Sequence, residues 1–120
     1  MSAAEAELAA RVRAHLQTLP PCDVPVTYRD LAAALGLRPP QTIHRLTLAL
    51  EATMAEDVAA GRPLIAALVV SRTATVPQTG FFELAARLGR LPAEPAAAAR
   101  EAYAREFEAA IATWLKPRSG

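Results

Sequence analysis

Positively charged and polar side chains gather around one predicted helix start in the middle of this 120-residue chain. Arg38 precedes the helix and His44 and Arg45 lie near its beginning, whereas the acidic residues of the same helix begin only at residue 51. The helix dipole favours the opposite arrangement, by roughly 0.3–1 kcal/mol per well-placed charge. Positive groups around the free amides of a helix N-terminus form a site for an anion, and phosphate is the obvious candidate. The alternative is that these side chains are simply solvated.

Several neighbours of this helix start are of residue types that read nucleic-acid bases. Gln41, Thr42, His44 and Arg45 lie off the apolar stripe of the helix, and arginine pairs with guanine as glutamine pairs with adenine. A plain surface role is the alternative for His44. The other candidate contacts to DNA lie outside this helix, and they are Tyr28, Arg29, Arg72, Thr73 and Gln78.

Catalytic and metal chemistry find little support in the residue inventory. Cys22 is the single cysteine, and the two histidines, His15 and His44, lie far apart in the sequence. The chain has neither a glycine-rich phosphate loop nor a G-x-S-x-G motif. Its carboxylates alternate with arginines on predicted helices, as on a solvated face. We therefore expect no enzyme activity, no metal and no cofactor.

Length and composition indicate one domain, 1–120, with a modest core. Hydrophobic residues make up 52% of the chain and charged residues 21%, as in soluble globular proteins. The sequence has no apolar window long enough for a membrane span and no recognisable signal peptide, so we expect a cytoplasmic protein. The net charge of +1 is low for a nucleic-acid binder, although residues 26–90 carry a net +2.

Three helices are predicted in the first half of the chain. The first spans residues 1–19. The stretch "VTYRDLAAALGL" predicts a short helix that Thr27 caps and Gly36 ends. A longer helix over about 41–60 follows two prolines and ends at Gly61. Its inward stripe is predicted to contain Ile43, Leu46, Leu50, Met54 and Val58.

The segment "PLIAALVVSRTATVPQTGFF" interrupts the helical pattern. Its apolar run alone is compatible with a helix or a strand. Pro63 before it and "SRTATVPQTG" after it favour a strand, followed by a loop over about 71–80 and a second arm that runs into Phe81 and Phe82. Alternatively, "FFELAARLG" forms a short helix closed by Gly89. A C-terminal helix over 93–116 follows. Its stripe either packs in the core or forms a homodimer seam, and the stripe residues are Tyr103, Phe107, Ala110, Ile111 and Trp114.

The order of these elements is that of a winged helix-turn-helix. The predicted fold class is thus mainly α with a small β-hairpin, in which a winged helix-turn-helix core, 26–90, is flanked by N- and C-terminal helices. The predicted function is non-enzymatic binding of double-stranded DNA, regulatory in character, through the third helix (41–60) and the wing (71–80). The alternative is a protein–protein adaptor module on the same scaffold, which suits the low net charge.

"VTYRDLAAALG" resembles the helix-turn-helix of O6-alkylguanine-DNA alkyltransferases and alkyltransferase-like proteins, which carry V-[ST]-Y-x-x-[IL]-A there and a later P-C-H-R-V-V run. The resemblance covers roughly residues 26–82. When Val69 and Val70 are aligned with the paired valines of the family, proline, cysteine, histidine and arginine are replaced by Ile65, Ala66, Ala67 and Leu68.

This resemblance implies a DNA-binding domain without alkyltransferase activity, because alkyl transfer needs a thiolate and a neighbouring base. It also places Tyr28 against the DNA backbone, beside a flipped nucleotide. The alternative is that Tyr28 anchors the start of its helix against the core. Arg45 is the nearest counterpart of the intercalating arginine of the family.

Overall fold

The computed structural model describes residues 3–73 and 75–115. The ends of the predicted terminal helices (1–2 and 116) and Ala74 of the predicted wing lie outside these ranges. Five helices and two short strands follow one another along the described chain, together with 3-10 turns at Pro21–Asp23 and Ile65–Leu68. In chain order they are α1 (Ala3–Gln17), β1 (Val26–Thr27), α2 (Tyr28–Ala34), α3 (Thr42–Ala59), β2 (Val69–Val70), α4 (Thr79–Arg87) and α5 (Ala96–Trp114).

The pair α2–α3 forms as the sequence predicts, because its ends are specified locally. The Asp30 amide donates to Thr27 Oγ1 over 3.0 Å, which caps α2. Gly36 and Gly61 adopt φ of 69° and 68°, a region that glycine enters without strain, and each lies just beyond the end of a helix. α1 packs against α3 and buries Val12 and Leu16.

The apolar run Leu64–Val70 is not the first arm of a hairpin, so the predicted β-hairpin is wrong. Residues 65–68 form a 3-10 turn, and β2 pairs in parallel with β1, with Val26 opposite Val69 and Thr27 opposite Val70. All seven residues of the run are buried. Carboxylates distant in sequence hold the beginning of the run, since the Leu64 amide donates to Glu106 Oε2 (2.7 Å) and the Ile65 amide donates to Asp57 Oδ2 (3.0 Å).

Phe81 and Phe82 belong to α4, so the helical alternative for this segment is confirmed. Gly89, at φ 78°, follows the end of this helix. The two rings pack edge to face, with centroids 5.3 Å apart, and each also meets Tyr103 of α5. Residues 71–73 and 75–78 form the loop between β2 and α4.

The apolar stripe of α5 packs on the buried run. The Tyr103 hydroxyl donates to the Ala67 carbonyl over 2.8 Å, and Ala110 is fully buried. Trp114 Nε1 donates to the Pro63 carbonyl over 2.9 Å. The stripe therefore supplies core contacts within one chain, and the homodimer seam stays a prediction. No described helix is long and apolar enough to cross a membrane.

A buried ionic network fixes the end of α3. Asp57, which is 0% exposed, lies 2.9 Å from Arg13 Nη1 of α1 and 3.1 Å from Arg62 Nη2. Both guanidinium groups also stack on the Trp114 ring, at 4.9 and 5.1 Å from its centroid. The expectation that the helix carboxylates are solvated is wrong for Asp57, which links α3 to Arg13 of α1, to Arg62 and to the Ile65 amide.

Candidate nucleic-acid interface

No side chain caps the beginning of α3. Gln41, the N-cap residue, has a left-handed backbone (φ 57°) and makes no capping hydrogen bond through its side chain. Its carbonyl accepts the Arg45 amide over 2.9 Å, which starts the helical ladder. The amides of the first turn are therefore not bonded to the N-cap side chain, and they give this end of α3 a partial positive charge.

Three arginines line an open cleft of about 500 Å³ beside this helix start: Arg11 of α1, Arg38 of the turn, and Arg45 of α3. Arg11 donates to the Leu35 carbonyl over 2.6 Å, and Arg45 donates to the Arg38 carbonyl. These bonds orient the guanidinium groups without neutralising them. None of the described residues that line the cleft is acidic. The cleft therefore concentrates positive charge where α3 begins.

The polar residues predicted to read bases surround the same helix start. Gln41 and His44 are exposed, and Thr42 is half-buried. Ile43 does not face inward as predicted; it is 38% exposed and is the one large hydrophobic side chain classed as exposed among residues 3–73 and 75–115. Together with Arg38 and Arg45, these side chains form the surface that we call the α3 start.

A second group of predicted contacts lies at the edge of the small sheet. Because Thr27 pairs with Val70 in parallel, the chain leaves β1 and β2 at the same edge. Arg29 and Arg72 each follow this pair by two residues, and both are exposed, as are Thr73 and Gln78. The loop is closed on itself by a bond from the Ser71 amide to the Val76 carbonyl, 2.7 Å long.

Tyr28 ties this loop to α2. Its ring is buried, with 8% of the residue exposed, and its hydroxyl accepts the Gln78 amide over 2.9 Å. The contact makes Tyr28 an anchor of the loop against the core. The loop group and the α3 start are separate: Tyr28 and Gln78 adjoin Glu51, about 9 Å along the helix axis from Arg45.

Two further arginines differ from the predictions: Arg62 is removed from the predicted charged face, and Arg11 is added to the cleft. A DNA-binding function predicts Arg62 on the same charged face, but Arg62 forms an ion pair with Asp57 and lies over the Trp114 ring. Arg11 was not among the predicted contacts, although it lines the cleft. No local pattern on α1 distinguishes it, because its place depends on how α1 packs across the α2–α3 turn.

The alignment with alkyltransferases puts Ala66 in the position of the family's cysteine. Ala66 is 2% exposed and lines a small, partly open cavity with Tyr28, Met54 and Phe81. The cavity holds about 20 Å³, enough for one or two water molecules. A nucleobase does not fit into a space of this size.

Both tyrosines of the chain have buried rings. Burial raises the pKa of the Tyr28 phenol, and the hydrogen bond from the Gln78 amide lowers it in part. Burial also raises the pKa of Tyr103, strongly, and the neighbouring Tyr28 adds to this increase. Both phenols are consequently held in the neutral form in the folded protein.

We expect the free energy of unfolding to fall as the pH rises above about 10, the ordinary pKa of tyrosine. The folded pKa values lie above the unfolded ones, so this stabilisation is complete below about pH 10 and is lost as the pH rises towards the folded values. The loss approaches about 1.4 kcal/mol per pH unit for a tyrosine that stays protonated in the folded protein while it ionises in the unfolded chain. Urea unfolding from about pH 9 to pH 11 measures it, and Tyr28→Phe should make the slope shallower. Tyrosinate absorbance that appears while Trp114 fluorescence is still native would contradict this expectation.

A comparison of the chain with protein-family models, with curated proteins and with solved structures finds no match. Groups of three or more metal-ligating side chains are also absent from the described part of the chain. The function is therefore inferred from the arrangement of this chain's own residues.

Proposed function

We propose that this protein is a non-enzymatic, regulatory DNA-binding protein of winged-helix type. In this proposal α2 and α3 form the helix-turn-helix, α3 meets double-stranded DNA with its N-terminal end, and the loop 71–78 takes the place of a wing. The resemblance to the alkyltransferase DNA-binding domain supports the same function.

The observation that carries the proposal is the cleft between Arg11, Arg38 and Arg45. Three guanidinium groups with no carboxylate in the same cleft lie at a helix N-terminus, and both features favour the phosphate oxygens of a nucleic-acid backbone. Arg13, Arg62 and Arg90, in contrast, have carboxylate partners. The side chains that line this cleft therefore carry positive charge only, although the net charge of the chain is +1.

The loop offers a second contact beside the first. It is held in place by Tyr28 and by its own backbone bond, and it presents Arg72 and Thr73 to solvent near Arg29. A preorganised loop loses less conformational entropy when it binds than a free one does. Arg29 and Arg72 would contact phosphates of the same DNA duplex that the α3 start contacts.

We expect binding to a labelled mixed-sequence duplex to depend on salt and on Arg38 and Arg45. The three phosphate contacts at the cleft should alone lower the affinity about fortyfold between about 50 and 200 mM salt, and contacts from Arg29 and Arg72 would add to this fall. Arg38→Ala/Arg45→Ala should weaken binding roughly tenfold or more at the lower salt, since each lost contact is a charge-assisted hydrogen bond. The slope against log salt should become shallower by about 2. Fluorescence anisotropy measures both quantities.

Arg87→Ala/Arg105→Ala is the matched control, because it removes the same charge from exposed positions on α4 and α5. Its affinity and salt slope should stay close to those of the wild type. An equal loss in both double variants would mean that only net charge matters. Absence of any binding at the lower salt would refute general DNA affinity.

One observation favours the alternative, a protein adaptor. Arg11 and Arg45 also border a groove of about 430 Å³ that is lined by three leucines and two acids, namely Leu8, Leu37, Leu48, Glu5 and Glu7. Apolar side chains together with charges of both signs suit a protein partner. This second function is supported if the wild type shows no salt-sensitive DNA binding and captures a protein partner that the Leu48→Asp variant does not capture.

A further inference from the structure

An open hollow of about 520 Å³ lies between the loop and the first turns of α5, away from the cleft at the α3 start but bordered by Ser71 and Gln78 of the loop. Val76 and Phe82 form one side of it. The other side is the alanine-rich start of α5, where Ala96 and Ala99 line the space. Their short side chains leave the space open, and its volume lies within the range of small-molecule sites in proteins.

The apolar wall of the hollow is rigid. The Phe82 ring is only half-buried, but it is fixed edge to face against Phe81 and Tyr103, with centroids 5.3 and 5.8 Å away. Such aromatic packing holds a ring in one orientation. A flat apolar group can lie against Phe82 without any rearrangement of the core.

The polar groups around the hollow are few, and a single charge dominates them. Arg100 lines the space and is exposed, and it has no carboxylate partner among residues 3–73 and 75–115. Ser71 and Thr79 add hydroxyl groups and Gln78 adds an amide group at the loop side. No acidic side chain is among the described residues that line the space. The chemistry is therefore that of an apolar body with one anionic group.

We infer that this hollow is a binding site for a small organic carboxylate with an aromatic body. The ring lies against Phe82 and Val76, and the carboxylate pairs with the Arg100 guanidinium. Because the loop forms one wall, the occupant also contacts the segment that the proposed function places on DNA. An effect of the ligand on DNA affinity rests on that proposed function, whereas the site itself does not.

Titration with phenylacetate, followed by amide chemical shifts in NMR, tests the site without DNA. We expect shifts confined to the loop, the start of α4 and the start of α5, together with saturable binding. Phenylacetamide has the same body without the charge, and it should bind at least about tenfold more weakly, as for the loss of one charge-assisted hydrogen bond. Arg100→Gln should weaken phenylacetate by the same factor, and Ala96→Leu should abolish binding by filling the space.

Arg105→Gln is the matched control, since it removes an exposed arginine of the same helix that does not line the hollow. It should bind phenylacetate like the wild type. The inference is overturned if the shifts map elsewhere or if binding does not saturate. It is also overturned if the wild type binds phenylacetamide as tightly as phenylacetate, or if Arg100→Gln binds phenylacetate as tightly as the wild type does. If the wild type binds phenylacetate at this site but does not bind DNA, only the proposed function is refuted.

Discussion

Replacing Asp57 by asparagine should lower the free energy of unfolding by about 3–5 kcal/mol, the cost of breaking a buried ion pair by removing one partner. Asp57 is fully buried and faces two guanidinium groups. Asparagine is similar in size but neutral, so Arg13, whose side chain is 17% exposed, would keep only the exposed Glu56 carboxylate to offset its burial.

Urea unfolding followed by Trp114 fluorescence suits this measurement, because the single tryptophan stacks on both arginines of the network. Glu56→Gln is the matched control. Glu56 Oε1 lies 3.0 Å from Arg13 Nη2, but the Glu56 side chain is 53% exposed. Its loss should cost less than about 1 kcal/mol. Equal and small losses for both variants would show that the Asp57 charge is not needed in the core.

The role of Asp57 shows where sequence reasoning succeeds and where it stops. The α2–α3 pair was predictable because Thr27, Gly36 and Gly61 specify its ends through contacts within a few residues. Asp57 follows Glu56 on the same helix, and no local pattern separates the buried acid from the exposed one. Only the packing of α1, which brings Arg13 across 44 residues of sequence, makes the distinction.

The apolar run illustrates the same limit for secondary structure. Seven buried residues in succession have no period, so neither a strand nor a helix is indicated. The 3-10 turn forms because Asp57 and Glu106 accept the amides of Ile65 and Leu64, and Glu106 lies 42 residues away from Leu64. The predicted hairpin failed for this reason.

The candidate site was predictable in part. Charge at the start of α3 can be inferred from Arg38 and Arg45, since both lie next to a helix start that proline marks. Arg11 cannot be inferred in this way, because it reaches the cleft from a helix that begins far upstream. Ile43 follows the inward period of its helix, yet it is 38% exposed, which the period does not indicate.

Leu68→Ala and Ile65→Ala should each lower the free energy of unfolding by about 2–5 kcal/mol, the cost of a cavity in a packed core. Both residues are 0% exposed. They lie three positions apart, so in a half-exposed strand they would point to opposite faces and one substitution would be cheap. A large loss at both positions therefore distinguishes the buried turn of the structure from the predicted wing strand.

Leu48→Ala serves as the comparison, because Leu48 is half-buried on the outer side of α3 and its truncation leaves no enclosed cavity. Its cost should be clearly smaller, below about 2 kcal/mol. Urea unfolding again measures the stability of all three variants. A small loss in the free energy of unfolding at either Ile65 or Leu68 would favour a strand with one solvated face. Under conditions where Leu68→Ala stays folded, the salt dependence of its DNA binding should equal that of the wild type. The reason is that all side chains of the run 64–70 are buried, so none of them is available to contact a partner.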